Sequence, residues 1–392
     1  MEWMNKRVIL IGWLVTVVLG LWSGVSFGDF EDLGVGARPI GMGNAFVGLV
    51  DDVHSIYYNP AGLSRLTRIE FTSGYGRLFW GLDDSSNLGN AFIGYVHPLE
   101  KLGGIGVGWL HLGLRGLYRE DRFILSYGNN LSSSLSAGLN LKLLYKQYDN
   151  NQYTKSDPLF EEKGYSRIGF SSDLGLLYNL TGNIFSGLSI TDIIQPDMNL
   201  ADKSDKIPLG IKIGIAYRDK VSLINFGLDA VYKDGEFDVS AGAEKWLSGK
   251  TVGVRGGIDI GSTGFKSFSL GGSYQVSRLE IDYAFIYPLF GLRETYGSHR
   301  FSVTLRFGAL KKTVSEDKGL IPTETGIPET LPSEEEKIEE MKGYYYRGIY
   351  HYERGEYEAA IAEFEKVLQL KPDHSQSLSL IERARERMKI KK

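Results

Sequence analysis

Cysteine is absent from the 392 residues. That excludes disulfides, thiolate metal sites and a lipid-bearing N-terminal cysteine. Histidine is sparse, at His54, His97, His111, His299, His351 and His374, and no two stand at metal-ligand spacing. No nucleophile elbow, phosphate loop or zinc motif occurs, so the sequence points away from an enzyme and implies no cofactor and no metal. His111 and His299 are candidates for Ser-His chemistry on a barrel; the competing reading is a polar group at a membrane interface or in a loop. A charge surplus is also missing: 44 basic residues meet 48 acidic ones, a net −4. Nothing there suggests nucleic acid. Beyond the N-terminus no apolar run is long enough for a transmembrane helix.

What is abundant is glycine, at 49 residues, with 23 Tyr and 19 Phe. That mixture suggests β structure with tight turns. Residues 1–28 read as a signal peptide: Lys6 and Arg7, then apolar Val8 to Trp22, then Ser26 and Gly28 before a cleavage point. The alternative is a retained anchor, for which the apolar run is short. Either way the rest of the chain leaves the cytoplasm.

From 69 to 308 apolar residues recur at every second position. Ala137, Leu139, Leu141, Leu143 and Tyr145 interleave with Gly138, Asn140, Lys142, Leu144 and Lys146. Leu209 to Arg218 and Leu279 to Tyr287 repeat the pattern. Period two means strands with two unlike faces. Fourteen are expected, near 69–80, 88–97, 103–113, 119–129, 135–148, 165–179, 184–192, 208–218, 221–232, 237–246, 251–260, 267–276, 279–287 and 299–307. Many reach the ~9–11 residues that a tilted strand needs to cross a bilayer. Trp80, Tyr118, Tyr148, Tyr178, Tyr217, Tyr232, Trp246 and Tyr287 sit at strand ends, where amphipathic rings suit a headgroup boundary.

Alternation alone leaves open a soluble sandwich with its apolar face inside. The leader, the even strand number and mid-strand charges (Lys142, Lys212, Arg255, Asp282, Arg306) favour the inverse. The expected fold is mainly β: a 14-stranded antiparallel transmembrane barrel of the bacterial outer membrane, in contact with its lipid. Even-numbered connections are short, and the longest, 149–164, 193–207 and 288–298, are odd-numbered. That is the asymmetry of short periplasmic turns and long outer loops, although the odd connection Lys233 to Glu236 is also short.

Residues 29–68 precede the first strand and contain "GMGNAFVGLVDDVHSIYYNPAGL". A barrel of fourteen strands has a lumen too wide for side chains alone, and this segment is predicted to plug it. Gly41, Gly43, Gly48 and Gly62 permit close backbone approach. Asn59-Pro60 sets a turn, and Asp51 and Asp52 are expected to meet luminal Lys and Arg. A flexible periplasmic leader is the other reading; "AFVGLV" and "SIYY" are too apolar for it.

The stretch resembles the N-terminal signature of FadL-like outer-membrane proteins, and more closely their PorV/PorQ relatives, through Gly41, Gly43, Asn44, Asp51, Asp52, Tyr58, Asn59, Pro60 and Ala61. The resemblance implies a fourteen-stranded barrel with an N-terminal hatch. FadL-like members carry hydrophobic molecules across the outer membrane; PorV-like members are linked to protein export and surface attachment of cargo. The strand "GGIGVGWLHLGL" holds Gly103, Gly104, Gly106, Gly108 and Gly113. Glycines there permit a kink, and the resemblance implies a side gate for a hydrophobic small-molecule ligand. Alternatively the glycines make room for the hatch.

Residues 309–332 read as a polar linker with Pro322 and Pro328. Residues 333–392 turn helical and match the tetratricopeptide repeat at Tyr344, Gly348, Gly355, Tyr357, Ala360, Phe364 and Pro372. His351 and Val367 depart from its pattern. One repeat cannot bury its own faces, so it is expected to pack on the helix from about Ser375, on a second copy or on a partner. This tail is expected in the periplasm. It supports a second functional reading, an interaction module that binds an envelope or secretion-system protein.

Overall fold

The computed structural model describes residues 30–81, 87–100, 102–200, 204–219, 221–262, 266–290, 295–308 and 334–390. The leader at 1–28 and the linker at 309–332 lie outside the described residues. The chain divides into two compact units, Met1–Lys318 and Gly319–Lys392.

The first unit is a ring of fourteen strands: β1 (Ile69–Arg77), β2 (Leu88–Leu99), β3 (Gly103–Leu114), β4 (Tyr118–Asn130), β5 (Leu135–Tyr148), β6 (Ser166–Asn179) and β7 (Ile184–Thr191). It continues with β8 (Gly210–Asp219), β9 (Ile224–Lys233), β10 (Glu236–Leu247), β11 (Val252–Gly261), β12 (Lys266–Val276), β13 (Leu279–Phe290) and β14 (Ser298–Phe307). Sequence neighbours pair antiparallel, and β1 closes on β14 with Ile69 opposite Phe307 and Arg77 opposite His299. Closure leaves no open edge. β1 ends three residues earlier than expected, because Phe79 takes φ 47°, which no extended strand holds.

Alternation resolves into an apolar outer face and a polar inner one. Leu141, Ile213, Leu228 and Leu270 are each about half exposed on the outside. Lys142, Lys212, Arg255 and Asp282 are buried in the inward row. A soluble sandwich would show the opposite. Three of the expected belt aromatics point the wrong way for a belt. Tyr118, Tyr148 and Trp246 share parity with inward Glu120, Lys146 and Glu244, and Trp246 is buried. Tyr178, Tyr217, Tyr232 and Tyr287 face out as expected.

The second unit is three helices, α-helical over Glu334–Glu353, Tyr357–Leu370 and Ser375–Ile390. Gly355 turns the chain between the first two at φ 73°. Ala360, Phe364 and Ile381 form a buried cluster, so the last helix covers the repeat. A Cβ on Gly348 would meet the Phe364 ring at 2.4 Å, which is why the helices touch there. Tyr345, not singled out from the sequence, packs its ring at a tilt 5.9 Å from that of Phe364. Tyr344 instead lies under Arg347 and Lys366. Tyr357 meets the Tyr352 ring at 5.6 Å, and Pro372 follows the end of the second repeat helix at Leu370.

Candidate functional site

The segment Phe30–Arg68 is almost wholly buried, yet only short pieces of it are regular. α1 (Ala37–Gly41) and α2 (Ser55–Tyr58) are single turns, and Pro60–Arg65 is a 3₁₀ turn. Glycine-rich as it is, the stretch forms helix only one turn at a time. Asn59 starts the 3₁₀ turn by accepting from the Ala61 N–H at 3.1 Å, with Pro60 at its first position. Its amide also donates to the carbonyl oxygens of Val47 (3.2 Å) and of Leu176 on β6 (2.9 Å).

A segment without ladders must place its backbone polar groups elsewhere. Here wall side chains take them. Asp229 on β9 accepts from the N–H groups of Phe46 (2.6 Å) and Val47 (2.7 Å). Ser269 accepts from Gly43, Ser302 from Ala37, Glu70 from Val53 and Glu120 from Phe30, all at 3.0–3.2 Å. Asn140 donates to the Ile56 carbonyl at 2.9 Å.

The closeness of this contact is set by glycine. From β3 to β11 every strand has an inward glycine on the path of the segment: Gly104, Gly128, Gly138, Gly175, Gly187, Gly214, Gly227, Gly242 and Gly257. A Cβ on any of them would lie 2.1–2.8 Å from an atom of the segment. Several are cross-strand partners, as in Gly104–Gly128–Gly138–Gly175 and Gly227–Gly242–Gly257. The wall is reduced to bare backbone along one track. Gly43 adds a left-handed turn at φ 64°, with its α-carbon against the Ile258 backbone.

At the centre of the segment stands Arg38. Its Nη1 lies 2.7 Å from both Asp51 and Asp52, and its Nε and Nη2 form a fork on Glu244 of β10 at 2.9 and 2.8 Å. Asn225 donates to the same Glu244 at 2.8 Å, and Arg255 Nε approaches it at 3.3 Å. Arg218 of β8 reaches Asp51 at 3.2 Å. Asp51 thus meets a barrel cation, Arg218, as well as Arg38, whereas Asp52 pairs with Arg38 and His54 of its own segment. Burial pushes the Asp51 carboxyl up; Arg38 and Arg218 outweigh it and hold it down at about 2. His54 is pushed down by burial and raised more strongly by Asp52, whose Oδ1 is 2.9 Å from its Nδ1, so it sits above its ordinary 6.5. Among the described residues His54 Nε2 has no partner.

The remaining motif residues hold the segment to itself. Tyr58 Oη donates to the Asn44 side chain at 2.8 Å, and Asn44 takes φ 66°. A Cβ on Gly41 would meet the Arg255 stem at 2.9 Å. Pro60 and Ala61 rest on Gly138, and Tyr57 and Lys212 both bond Asp32. β3 pairs over its whole length with β2 and from Gly104 onward with β4, with no register shift at Gly104, Gly106 or Gly108. Gly104 faces the Leu63 carbonyl, and Gly106 and Gly108 face Ile56. Gly103 itself takes φ 84° at the strand start.

This geometry binds one stretch of chain. His111 Nδ1 is bonded to Asp121 at 2.9 Å and His299 Nδ1 to Tyr283 at 2.7 Å. Among the described residues no cluster of His, Asp and Glu is placed to hold a metal ion. Sequence reasoning missed Arg38, Asp229 and Glu244. The available signal was a lone cation inside an otherwise neutral glycine-rich stretch, with carboxylates at mid-strand.

Solved structures share the fold at low identity. The CymD monoaromatic hydrocarbon channel superposes with a TM-score of 0.53 at 15% identity, covering 71% of this chain and 99% of that one. The toluene transporter TodX of P. putida gives 0.53 at 13%, covering 71% and 100%. TbuX of Ralstonia pickettii, also a toluene transporter, gives 0.51 at 14%, covering 71% and 100%. No curated protein matches the chain. Residues 341–374 match the tetratricopeptide repeat model. Residues 54–305 match the model of the type IX secretion system membrane protein PorP/SprF. That match spans well over half of the chain, from the DVHSIYYNP stretch to the last strand, and the chain belongs to the PorP/SprF family of type IX secretion system membrane proteins.

Proposed function

We propose that this protein is an outer-membrane anchor of a protein-secretion machine, with its lumen plugged by Phe30–Arg68. The helical unit faces the periplasm and binds an envelope or secretion-system protein. The observation that carries this reading is the fixing of the segment to the wall by buried pairs, Arg38 to Glu244 and Asp51 to Arg218. A fixed plug suits an anchor better than a conduit. The apolar outer face supports membrane placement: an aliphatic side chain left in water forgoes about 1.5–3 kcal/mol, and this face has dozens. Membership of a secretion-system membrane family and the repeat support the partner.

Planar-bilayer recording tests the plug. Wild type is expected to be silent, and Arg38→Met with Asp229→Asn to open stepwise, with both proteins showing the same heat-modifiable barrel on gels. Steady conductance from wild type sinks the proposal. Cross-linking in cells, with and without residues 334–390, tests the partner: loss of the same adduct on deletion is expected.

A second reading rests on the fold shared with hydrocarbon channels. A hydrophobic ligand would then pass sideways through the wall at Gly103, Gly104, Gly106 and Gly108, which requires β3 to part from a neighbour. Uptake that is lost in Gly106→Val and Gly108→Val would favour it.

A further inference from the structure

On β8–β10 and β12–β13 the outer face carries apolar rungs near the long-loop end: Ile211, Tyr232 and Phe237 form one, Phe268 and Tyr287 another. One sector differs. Across β14, β1, β2, β3 and β4, a single outward rung reads His299, Arg77, Gly89, Gly113, Arg119. Its middle two positions lack side chains, so the rung is a groove with a cationic wall on each side. Tyr75 Oη and His111 Nε2 lean over the floor: they are the atoms a Cβ on Gly89 or Gly113 would meet, at 2.6 and 2.8 Å. A cavity of about 570 Å³ opens there, and Arg115 from the β3–β4 turn also lines it.

The charges are unequally committed. Asp121, on the next outward rung, is engaged by Trp109 Nε1 and His111 Nδ1 at 2.9 Å each and lies 3.9 Å from Arg119 Nε, and Asp149 stands in the lining of the same cavity. Arg77 lies over Trp80, and Arg119 over Tyr145 with a bond to Gln147. Arg115 has no ion-pair or hydrogen-bond partner among the described residues. Below the groove the outward rungs turn greasy, through Ile93, Trp109 and Phe123 to Val107 and Leu125. Guanidinium forks above an apolar slope match a phosphorylated headgroup with its chains below.

We infer that this groove seats the anionic, phosphate-bearing headgroup of a membrane lipid, held between Arg77, Arg115 and Arg119. The inference rests on the membrane-spanning reading above. The test uses the full chain in phosphatidylcholine nanodiscs with and without phosphatidic acid, read by native mass spectrometry of retained lipid. Wild type is expected to retain phosphatidic acid selectively. The triple variant Arg77→Gln, Arg115→Gln, Arg119→Gln is expected to lose that selectivity by about tenfold or more. Lys266→Gln, an outward cation on β12 outside the groove, is expected to keep it. Equal retention by the triple variant overturns the site. So does inorganic phosphate displacing the lipid at equal concentration, which would make the groove a free-phosphate site. Failure to enter nanodiscs at all would overturn the membrane reading, whereas insertion without selectivity overturns only this inference.

Discussion

Arg38 joins carboxylates from two parts of the chain, two of them within its own segment and one on β10, 206 residues away. Breaking a buried pair from one side leaves charge uncompensated and costs about 3–5 kcal/mol. Arg38→Met is therefore expected to release Phe30–Arg68 to protease while the barrel stays intact; an unchanged digestion pattern would refute this. Acid probes the same centre. The Asp51 carboxyl is lowered from 3.8 to about 2. Its contribution is thus complete above pH 3.8 and is lost as pH falls through about 2. Pepsin is expected to spare the segment at pH 4 and to cut it near pH 2, and Asp51→Asn is expected to be cut already at pH 4. The sequence marked Asp51, Asp52 and Asn59 because their types suit turns and ion pairs. It could not mark Asp229, whose partners Phe46 and Val47 lie some 180 residues away and meet it only once the register of nine strands is set.

Strands were the most legible elements. A wall that is apolar outside and charged inside alternates more cleanly than one with two similar faces, and the expected ranges match the fourteen strands to within a few residues. Parity was read less well, as Trp246 shows: a ring at a strand end was taken for a belt residue although it shares a face with Glu244. The glycine track was visible as composition but not as a track, because cross-strand neighbours such as Gly138 and Gly175 are 37 positions apart in sequence. It yields a paired prediction. Gly242→Val places a side chain 2.1 Å from the Met42 carbonyl oxygen, whereas Gly272→Val has only a backbone oxygen at 3.6 Å. Both cost similar backbone freedom to change, yet only the first is expected to expose the segment to trypsin. Equal exposure in both would mean that the track is incidental.

The molecule as a whole is two units with separate cores, one inside the barrel that mixes buried ion pairs with apolar clusters, one a small helical stack. Their stabilities are expected to be separable. Gly348→Val forces a methyl-bearing carbon into the Phe364 ring, and overpacking of this kind costs about 1–3 kcal/mol. Hydrogen exchange in the full chain should quicken over residues 334–390 and stay unchanged over the strands; quickening in both would join the two units into one cooperative block. Strand and helix content could be read from periodicity, since it is a sum over many residues, and the leader and mid-strand charges decided for a barrel over a sandwich. The seating of the segment could not, since it depends on a few long-range meetings. That seating also bears on how the ring is made. Nine strands approach their occupant too closely for a Cβ to fit between. This favours an order of biogenesis in which the occupant is laid down first and the seam between the first and last strands zips shut around it.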